Sequence, residues 1–359
     1  MSAYLKNAWY AAAWSQEIGR QLLKRVIMDE SILFYRKEDG TAVAVSNRCA
    51  HRFAPLHLGK LEGDTVSCPY HGLRYDSSGK CVFNPNGDQR VPVGARIRTY
   101  ALAERSGMLW IWPGDADRAD TALLPDISYL EDRTRYAPVT GYLNVRSNYR
   151  FILDNLLDNA HLNTVHHDTL SCEPFRRGVP HLKPSAGNAN EILTSLICPP
   201  GLPGAIWSQI WAAEHDGVAP GSMDHWVELS WEPGGTCLQE TGITPEGRPR
   251  SEGIATLNCH LVTPETGQTS HYFWGIARPF QLNNPEFDEQ MKFGANYAFQ
   301  HQDEPMLEAI QKESGAQDFW KMRPALTVED VTLSKVRRRM DELIRAENAT
   351  PAAATSSTG

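Results

Sequence analysis

CAHRFAPLHLGKLEGDTVSCPYHG, residues 49–72, carries two pairs of soft ligands: Cys49 with His51 and, after sixteen intervening residues, Cys68 with His71. Each half supplies one thiolate and one imidazole. Two such loops at the tips of neighbouring hairpins can enclose a single centre from opposite sides. A [2Fe–2S] cluster with two Cys on one iron and two His on the other needs this ligand set. A Cys2His2 zinc site uses the same ligand types and stays open here, although zinc sites more often pair like with like in each half. Gly72, after the second His, is expected to let the backbone approach the centre. Neither 52–56 nor 72–76 holds a further cysteine, so the loops lack the disulfide that bridges high-potential clusters. Cys81 reads as a packed thiol.

Around this segment the first third reads as β-structure. RVIMDESILFYRK, TAVAVSN and GMLWIWPGD are short apolar or alternating runs, set off by Glu38-Asp39-Gly40 and Pro113-Gly114. A linker-like stretch holding Pro125 and Pro138 follows. Arg150 to Val165 reads as a helix with Phe151, Leu153, Leu156 and Leu157 among polar positions. EILTSLI, AIWSQIWAA, HWVELSWE, ATLNCHLVT and SHYFWGIA read as strands between 190 and 280. Helices are expected at 285–314 and 327–346, the last with Val336, Met340, Leu343 and Ile344 on one face. The fold class is α+β: an all-β domain over 1–135, then an antiparallel sheet with flanking helices over 136–346. The small polar tail 347–359 is expected to be disordered.

Within the second block, Asn155-Leu-Leu-Asp158-Asn-Ala-His161-Leu-Asn-Thr-Val-His166 gathers two His and a carboxylate. Asp158 and His161 share a helix face. His161 and His166 are five apart, about 140° on an ideal helix. They meet at one metal only if the helix loosens or ends near Thr164. Two His and one carboxylate with open positions mark mononuclear non-haem iron; a pair of hydrogen-bonded helix histidines is the plain alternative, and His167 fits it.

Composition narrows the class. The 359 residues suffice for two domains, and 41% hydrophobic with 22% charged residues is ordinary for a globular protein. The net charge of −8, without a Lys/Arg block, argues against a nucleic-acid partner. No apolar run approaches the roughly 20 residues that cross a bilayer, and no leader is read, so a cytoplasmic location is expected. Seven scattered cysteines do not resemble a disulfide framework.

The combination of Cys49/His51/Cys68/His71 with Asn155, Asp158, His161 and His166 resembles the Rieske non-haem iron oxygenases. The closest likeness is to the vanillate O-demethylase oxygenase type, with the dicamba O-demethylase and toluenesulfonate methyl-monooxygenase oxygenases similar. It runs from Lys6-Asn-Ala-Trp-Tyr10 to about residue 345 and takes in Thr263-Pro-Glu-Thr266 and His271-Tyr-Phe-Trp-Gly275. The resemblance implies one Rieske [2Fe–2S] cluster and one mononuclear Fe(II) per chain, and a helix-grip-like catalytic domain. It implies His161, His166 and Asp303 as iron ligands, with Glu304 the local rival. Pro305 departs from the pattern and suggests that a helix starts or kinks there. Asp158 is implied as a bridge from His161 to His71 of a neighbouring subunit, in a head-to-tail homotrimer, and Asn155 as a residue near the dioxygen site.

The implied reaction is O-demethylation or hydroxylation of a small aromatic compound with dioxygen. Aromatic cis-dihydroxylation, N-dealkylation and a non-catalytic electron carrier are the alternatives. No G-x-G-x-x-G, P-loop or plant-type ferredoxin spacing is present, so a separate NAD(P)H-dependent reductase of flavin or ferredoxin type is expected. Trp207, Trp211, Trp226 and Trp231 are expected in the core or lining the pocket. His260 is expected either to bind a substrate oxygen or to be a satisfied core histidine.

Overall fold

The computed structural model describes residues 3–185 and 190–349. β1 (Tyr10–Trp14) is followed by β2 (Leu23–Ile27) and β3 (Glu30–Arg36), which divide RVIMDESILFYRK into an antiparallel hairpin. Its turn holds Met28 and Asp29 at φ of 53° and 64°, the mirror-image turn whose twist suits hairpins. β4 (Ala42–Ser46), β5 (Lys60–Glu62), β6 (Thr65–Ser67), β7 (Arg74–Tyr75), β8 (Cys81–Phe83), β9 (Ala101–Arg105) and β10 (Met108–Trp112) complete three small sheets, ordered β1-β10-β9, β2-β3-β4 and β5-β6-β7-β8.

The second unit is one seven-stranded antiparallel sheet, ordered β11-β17-β16-β15-β14-β13-β12. Its strands are β11 (Ala137–Val145), β12 (Val179–Lys183), β13 (Ile192–Ile197), β14 (Met223–Glu232), β15 (Thr236–Pro245), β16 (Ile254–Pro264) and β17 (Ser270–Arg278). Pro138, read as linker, lies within β11; that strand is an edge, where a missing N–H is tolerated. One face of the sheet carries α1 (Tyr149–Leu157), α4 (Pro285–Asn296), α5 (Glu304–Ser314) and α6 (Val331–Ala349), packed over a core that includes Ile152, Leu157, Val227, Trp231 and Trp274. Val336, Met340 and Ile344 of α6 are buried as the helical spacing predicts, and Leu343 is partly buried.

The opposite face packs on Trp9, Trp14, Trp110 and Trp112 of the first unit. Hydrogen bonds fasten the two: Thr263 Oγ1 donates to the Ala11 carbonyl at 2.7 Å, and the Met28 amide donates to the Pro264 carbonyl at 2.8 Å. The whole is α+β, as read from the sequence.

Three local expectations are corrected. AIWSQIWAA is not a strand but lies in α3 (Ala205–Glu214), between α2 (Glu173–Arg176) and β14. It buries Trp207, Ile210 and Trp211, an i, i+3, i+4 set. The helix begun at 149 ends at Leu157, not near Thr164, with Asp158 as an extended C-cap. The expectation at Pro305 holds: α5 starts at Glu304 with the proline in its first turn, where its lack of an N–H is harmless, directly after a π-helical stretch, Tyr297–Asp303. Of the expected tail, residues 347–349 close α6, with Glu347 accepting from the Lys6 and Asn7 amides at 2.9 Å each, and 350–359 lie outside the described residues. Trp207, Trp211, Trp226 and Trp231 are all buried.

Candidate metal centres and active site

The two Cys/His loops repeat one backbone device. In the first, the Cys49 amide donates to the Ala54 carbonyl at 3.0 Å, and the Phe53 amide to the Cys49 carbonyl at 3.0 Å. In the second, the Cys68 amide donates to Leu73 at 2.8 Å and the Gly72 amide to Cys68 at 3.0 Å. The fourth residue after each cysteine is left-handed, with φ of 59° at Phe53 and 71° at Gly72. A Cβ on Gly72 would also lie 2.8 Å from Pro85 Cγ. The glycine therefore serves its own turn and a neighbouring proline ring, not only the approach to a metal.

The loops bring the ligands together in layers. Cys49 and Cys68 are buried, while His51 is exposed and His71 half-buried, their ring centroids 4.6 Å apart. Burial pushes the Cys68 thiol up, and the backbone N–H groups of Tyr70 and His71 act against it. Those N–H groups are aimed at a thiolate. The Tyr75 hydroxyl lies 3.2 Å from Cys49 Sγ and accepts from the Ala50 amide at 3.1 Å. Two thiols inside and two imidazoles outside match the unequal halves of a Rieske cluster, and the residues fit that group. Cys81 is a buried free thiol.

A second centre forms where α1 meets the π-helical stretch. Among the described residues, His161, His166 and Asp303 form the group of metal-ligating side chains whose ligand atoms all lie within 4.8 Å of one another. Asp303 Oδ1 is 3.1 Å from His166 Nε2 and 3.7 Å from His161 Nε2, and accepts from Asn155 Nδ2 at 3.2 Å. The spacing of five works because Asp158 leaves the helix and a 3₁₀ turn, Ala160–Asn163, swings His161 beside His166. Asp158 and His161 thus do not share a helix face. The π-helical backbone in turn delivers Asp303 to the same point from 137 residues away. Glu304, the rival carboxylate, falls on α5 outside this group.

The hydrogen-bond roles at His166 test the fit. Its Nδ1 lies 2.8 Å from Gln302 Oε1, which can only accept, so Nδ1 is assigned the proton. Nε2 then presents a lone pair to the Asp303 carboxylate. Two acceptors at that distance need a cation between them, either a proton or a metal. Burial pushes the His166 imidazole down, but Asp303 outweighs it and holds the pKa above its ordinary value. His161 Nδ1 is buried without a hydrogen-bond partner, 3.7 Å from Asp158 Oδ2. Burial alone would raise Asp158; His161 and the Ala160 amide instead hold its carboxyl below the usual range. The triad fits a mononuclear iron, with two imidazoles and one carboxylate on one side. Gln302, which fixes the His166 ring, was missed from the sequence; only its place beside Asp303 pointed to it.

Strand register places the remaining candidate. Gly141, Trp274, His260, Cys237, Trp231 and Ile192 form one row across the helix-facing side of the sheet. Asn258, two residues before His260, therefore shares that side, with Gln239 opposite it on β15. His260 Nδ1 lies 2.8 Å from the Tyr272 hydroxyl, and its ring meets Phe299 of the π-helical stretch edge-on at 5.8 Å. Burial pushes its pKa down to about 4, against a smaller pull from Asp303. It is a satisfied, neutral histidine that still stands over the iron-side helices. No described helix is long and apolar enough to cross a membrane.

Comparison with known proteins agrees with both centres. Residues 8–101 match the Rieske [2Fe–2S] domain, and residues 145–346 match the vanillate O-demethylase oxygenase C-terminal domain. The chain is 35% identical to the chloroacetanilide N-alkylformylase oxygenase component of Rhizorhabdus wittichii over 96% of this chain and 97% of that one. It is 33% identical to the dicamba O-demethylase oxygenase component of Stenotrophomonas maltophilia, over 96% and 99%. The crystal structure of dicamba monooxygenase bound to 3,6-dichlorosalicylic acid superposes with a TM-score of 0.88 at 32% identity, covering 97% and 99%.

Proposed function

The chain belongs to the Rieske non-haem iron oxygenases with a vanillate O-demethylase-type C-terminal domain, and we propose that it is the oxygenase component of a multicomponent monooxygenase acting on a small aromatic compound. The observation that carries this is the presence of both centres in one chain: buried Cys49 and Cys68 with surface His51 and His71, and a convergent His161/His166/Asp303 triad. An electron carrier needs only the first.

In this reading Cys49, His51, Cys68 and His71 hold the cluster, and His161, His166 and Asp303 hold the iron. Iron held there would supply dioxygen activation, and the cluster would supply the electrons. The protein supplies orientation and a dry pocket. Gln302 locks the His166 tautomer, and Asn155 steadies the Asp303 oxygen it shares with both imidazoles. Asp158 is held ionised beside His161, ready to accept a second imidazole, which we assign to His71 of an adjoining subunit in a homotrimer. The cluster domain covers 1–135 and the catalytic domain 136–346. A separate NAD(P)H-dependent reductase feeds the cluster; relatives named as oxygenase components support this.

Oxidation of a carbon next to a heteroatom leaves a hemiacetal or hemiaminal that collapses. O-demethylation and N-dealkylation are thus one reaction on two substrates. The names of the two relatives cover both outcomes, which keeps N-dealkylation as the second reading. Methoxylated benzoates, aryl methyl compounds and N-alkyl anilides, assayed with a surrogate reductase, test the proposal. Formaldehyde or another aldehyde should appear in step with dealkylated product. A cis-diol product would reassign the reaction, and no product with any of them would refute it.

A further inference from the structure

We infer that Trp274 and Trp14 form a relay through which the iron side draws one electron from the seam between the two units when oxidant arrives without substrate. This rests on the reading above, which places iron at His161, His166 and Asp303. Trp274 is 0% exposed and stands on the helix-facing side of the sheet. Its ring centroid is 5.5 Å from that of Phe299, which lies in the same π-helical stretch as Asp303. Its cross-strand partner on β11 is Gly141. A Cβ there would lie 2.3 Å from Trp274 Cε2, so the indole rests on bare backbone. Trp14, packed on the opposite face, donates Nε1–H to the Gly141 carbonyl at 3.1 Å. One glycine thus separates two indoles: one faces the iron side, and the other sits in the seam at 6% exposure.

The two indoles differ in how they bear a positive charge. Trp274 Nε1 is buried with no hydrogen-bond partner among the described residues. An oxidised Trp274 therefore has no acceptor for its proton and holds its charge in the apolar core, which is costly. Trp14 keeps its indole N–H on a carbonyl, and its backbone amide donates to Glu17 Oε2 at 2.7 Å. A hydrogen bond from a charged donor is stronger than a neutral one, so the electron vacancy settles on Trp14. Glu17 also pairs with Arg25 at 3.2 Å, which offsets that guanidinium beside the seam. Tyr272 is the rival donor, with its hydroxyl 2.8 Å from His260 Nδ1. It gives up an electron only by shedding its proton, and burial makes His260 a weak base, pushed down to about 4. With hydrogen peroxide as oxidant the electrons balance. The O–O bond breaks, and two protons and two electrons complete two waters. One electron comes from ferrous iron and one from Trp274, which Trp14 refills. Both indoles keep their protons, and a one-electron vacancy is left on Trp14.

Freeze-quench electron paramagnetic resonance tests this without turnover. Peroxide is mixed with substrate-free, iron-loaded full-length protein whose cluster is oxidised. Wild type should give an organic radical that narrows when tryptophan is ring-deuterated and is absent from iron-free protein. Trp274→Phe should lose most of that signal with iron and cluster content unchanged. Trp14→Phe should keep it, but on Trp274, where nearby ferric iron makes it relax faster and resist microwave saturation. Should Trp274→Phe lose iron, the Trp14→Phe arm alone decides. A tyrosine radical, full signal in Trp274→Phe or in iron-free protein, or unchanged saturation in Trp14→Phe overturns the inference. So does the absence of any radical in iron-loaded wild type. Metal analysis of the same samples separates the failures: iron present without a tryptophan radical sinks only the relay, and no bound iron sinks the proposed function as well.

Discussion

The proposed cluster loops draw their four ligands from the 23 residues 49–71, held by paired turns of the same design. The proposed iron triad instead joins His161 and His166 to Asp303, which lies 137 positions beyond His166 in the sequence. In the first region the thiols are deep and the imidazoles face outward, as a centre that receives and passes electrons requires. In the second, His166 and Asp303 are buried and only His161 is partly open. One region is local and turn-built. The other depends on tertiary packing and on two departures from α-helix, a 3₁₀ turn and a π-helical stretch. A local site should fail through its own turns. A distributed site should fail through any ligand, or through whatever holds a ligand in place.

The largest expected effect separates the two centres. His161→Ala should remove mononuclear iron and lower turnover by 10³-fold or more, while the cluster absorption and its reduced-state spin signal persist. Loss of the cluster in that variant, or turnover near wild type, would break the division between local and distributed sites. A smaller effect follows from Gln302→Leu, which deletes the acceptor at His166 Nδ1. Iron affinity should drop about 10–100-fold, as for other groups that orient a metal-bound histidine. Titration with ferrous iron reads it, and unchanged affinity would show that packing alone sets the ring.

Next in size is the turn chemistry. Gly72→Ala must place a Cβ in a left-handed residue against Pro85, at a cost of about 1–3 kcal/mol. Phe53→Gly at the matching turn should stay within about 1 kcal/mol of wild type. Thermal melts followed at the cluster absorption compare them; equal effects would mean that the two loops are not built alike.

The smallest effects come from two glutamates with opposite signs. For Glu30, burial is outweighed by Lys6, Tyr100 and Arg98, and the pKa lies below its ordinary 4.5. Its stabilisation is present above that value and lost as pH falls through the lowered one. Glu232, near the end of β14, is pushed up to about 7 by burial and by Glu191. Its favourable neutral form prevails below 4.5 and is lost as pH rises through 7. Glu30→Gln should therefore lower the melting temperature at neutral pH, with the deficit closing in acid. Glu232→Gln should raise it above pH 7, with the gain closing below pH 4.5. The same sign for both at pH 8 would contradict these assignments.

Legibility followed the same line. Cys49, His51, Cys68 and His71 could be read as a metal set from spacing alone, because a turn-built site writes its geometry into neighbouring residues. His161 and His166 could be read with the added condition that the helix must yield between them. It does yield, but at Asp158, earlier than the polar Asn163-Thr164 pair suggested. Asp303 came only through resemblance, since no local pattern marks a carboxylate brought from a distant helix. Gln302 lacked even that.

The α+β division was clear from runs of short strands and later helical spacing. AIWSQIWAA misled because Trp and Ile favour strands and so apolar a run hides its period. β15, Thr236–Pro245, was overlooked because its middle, Leu-Gln-Glu-Thr-Gly, is mostly polar although it pairs with strands on both sides.

The most direct test is metal and sulfide analysis of the purified chain, paired with electron paramagnetic resonance after reduction. The account predicts one [2Fe–2S] cluster with the rhombic signal of mixed Cys/His ligation, plus one further iron that disappears in His166→Ala without disturbing that signal. Zinc in place of iron at the Cys49/Cys68 loops, or a cluster with no additional iron beside it, would contradict it.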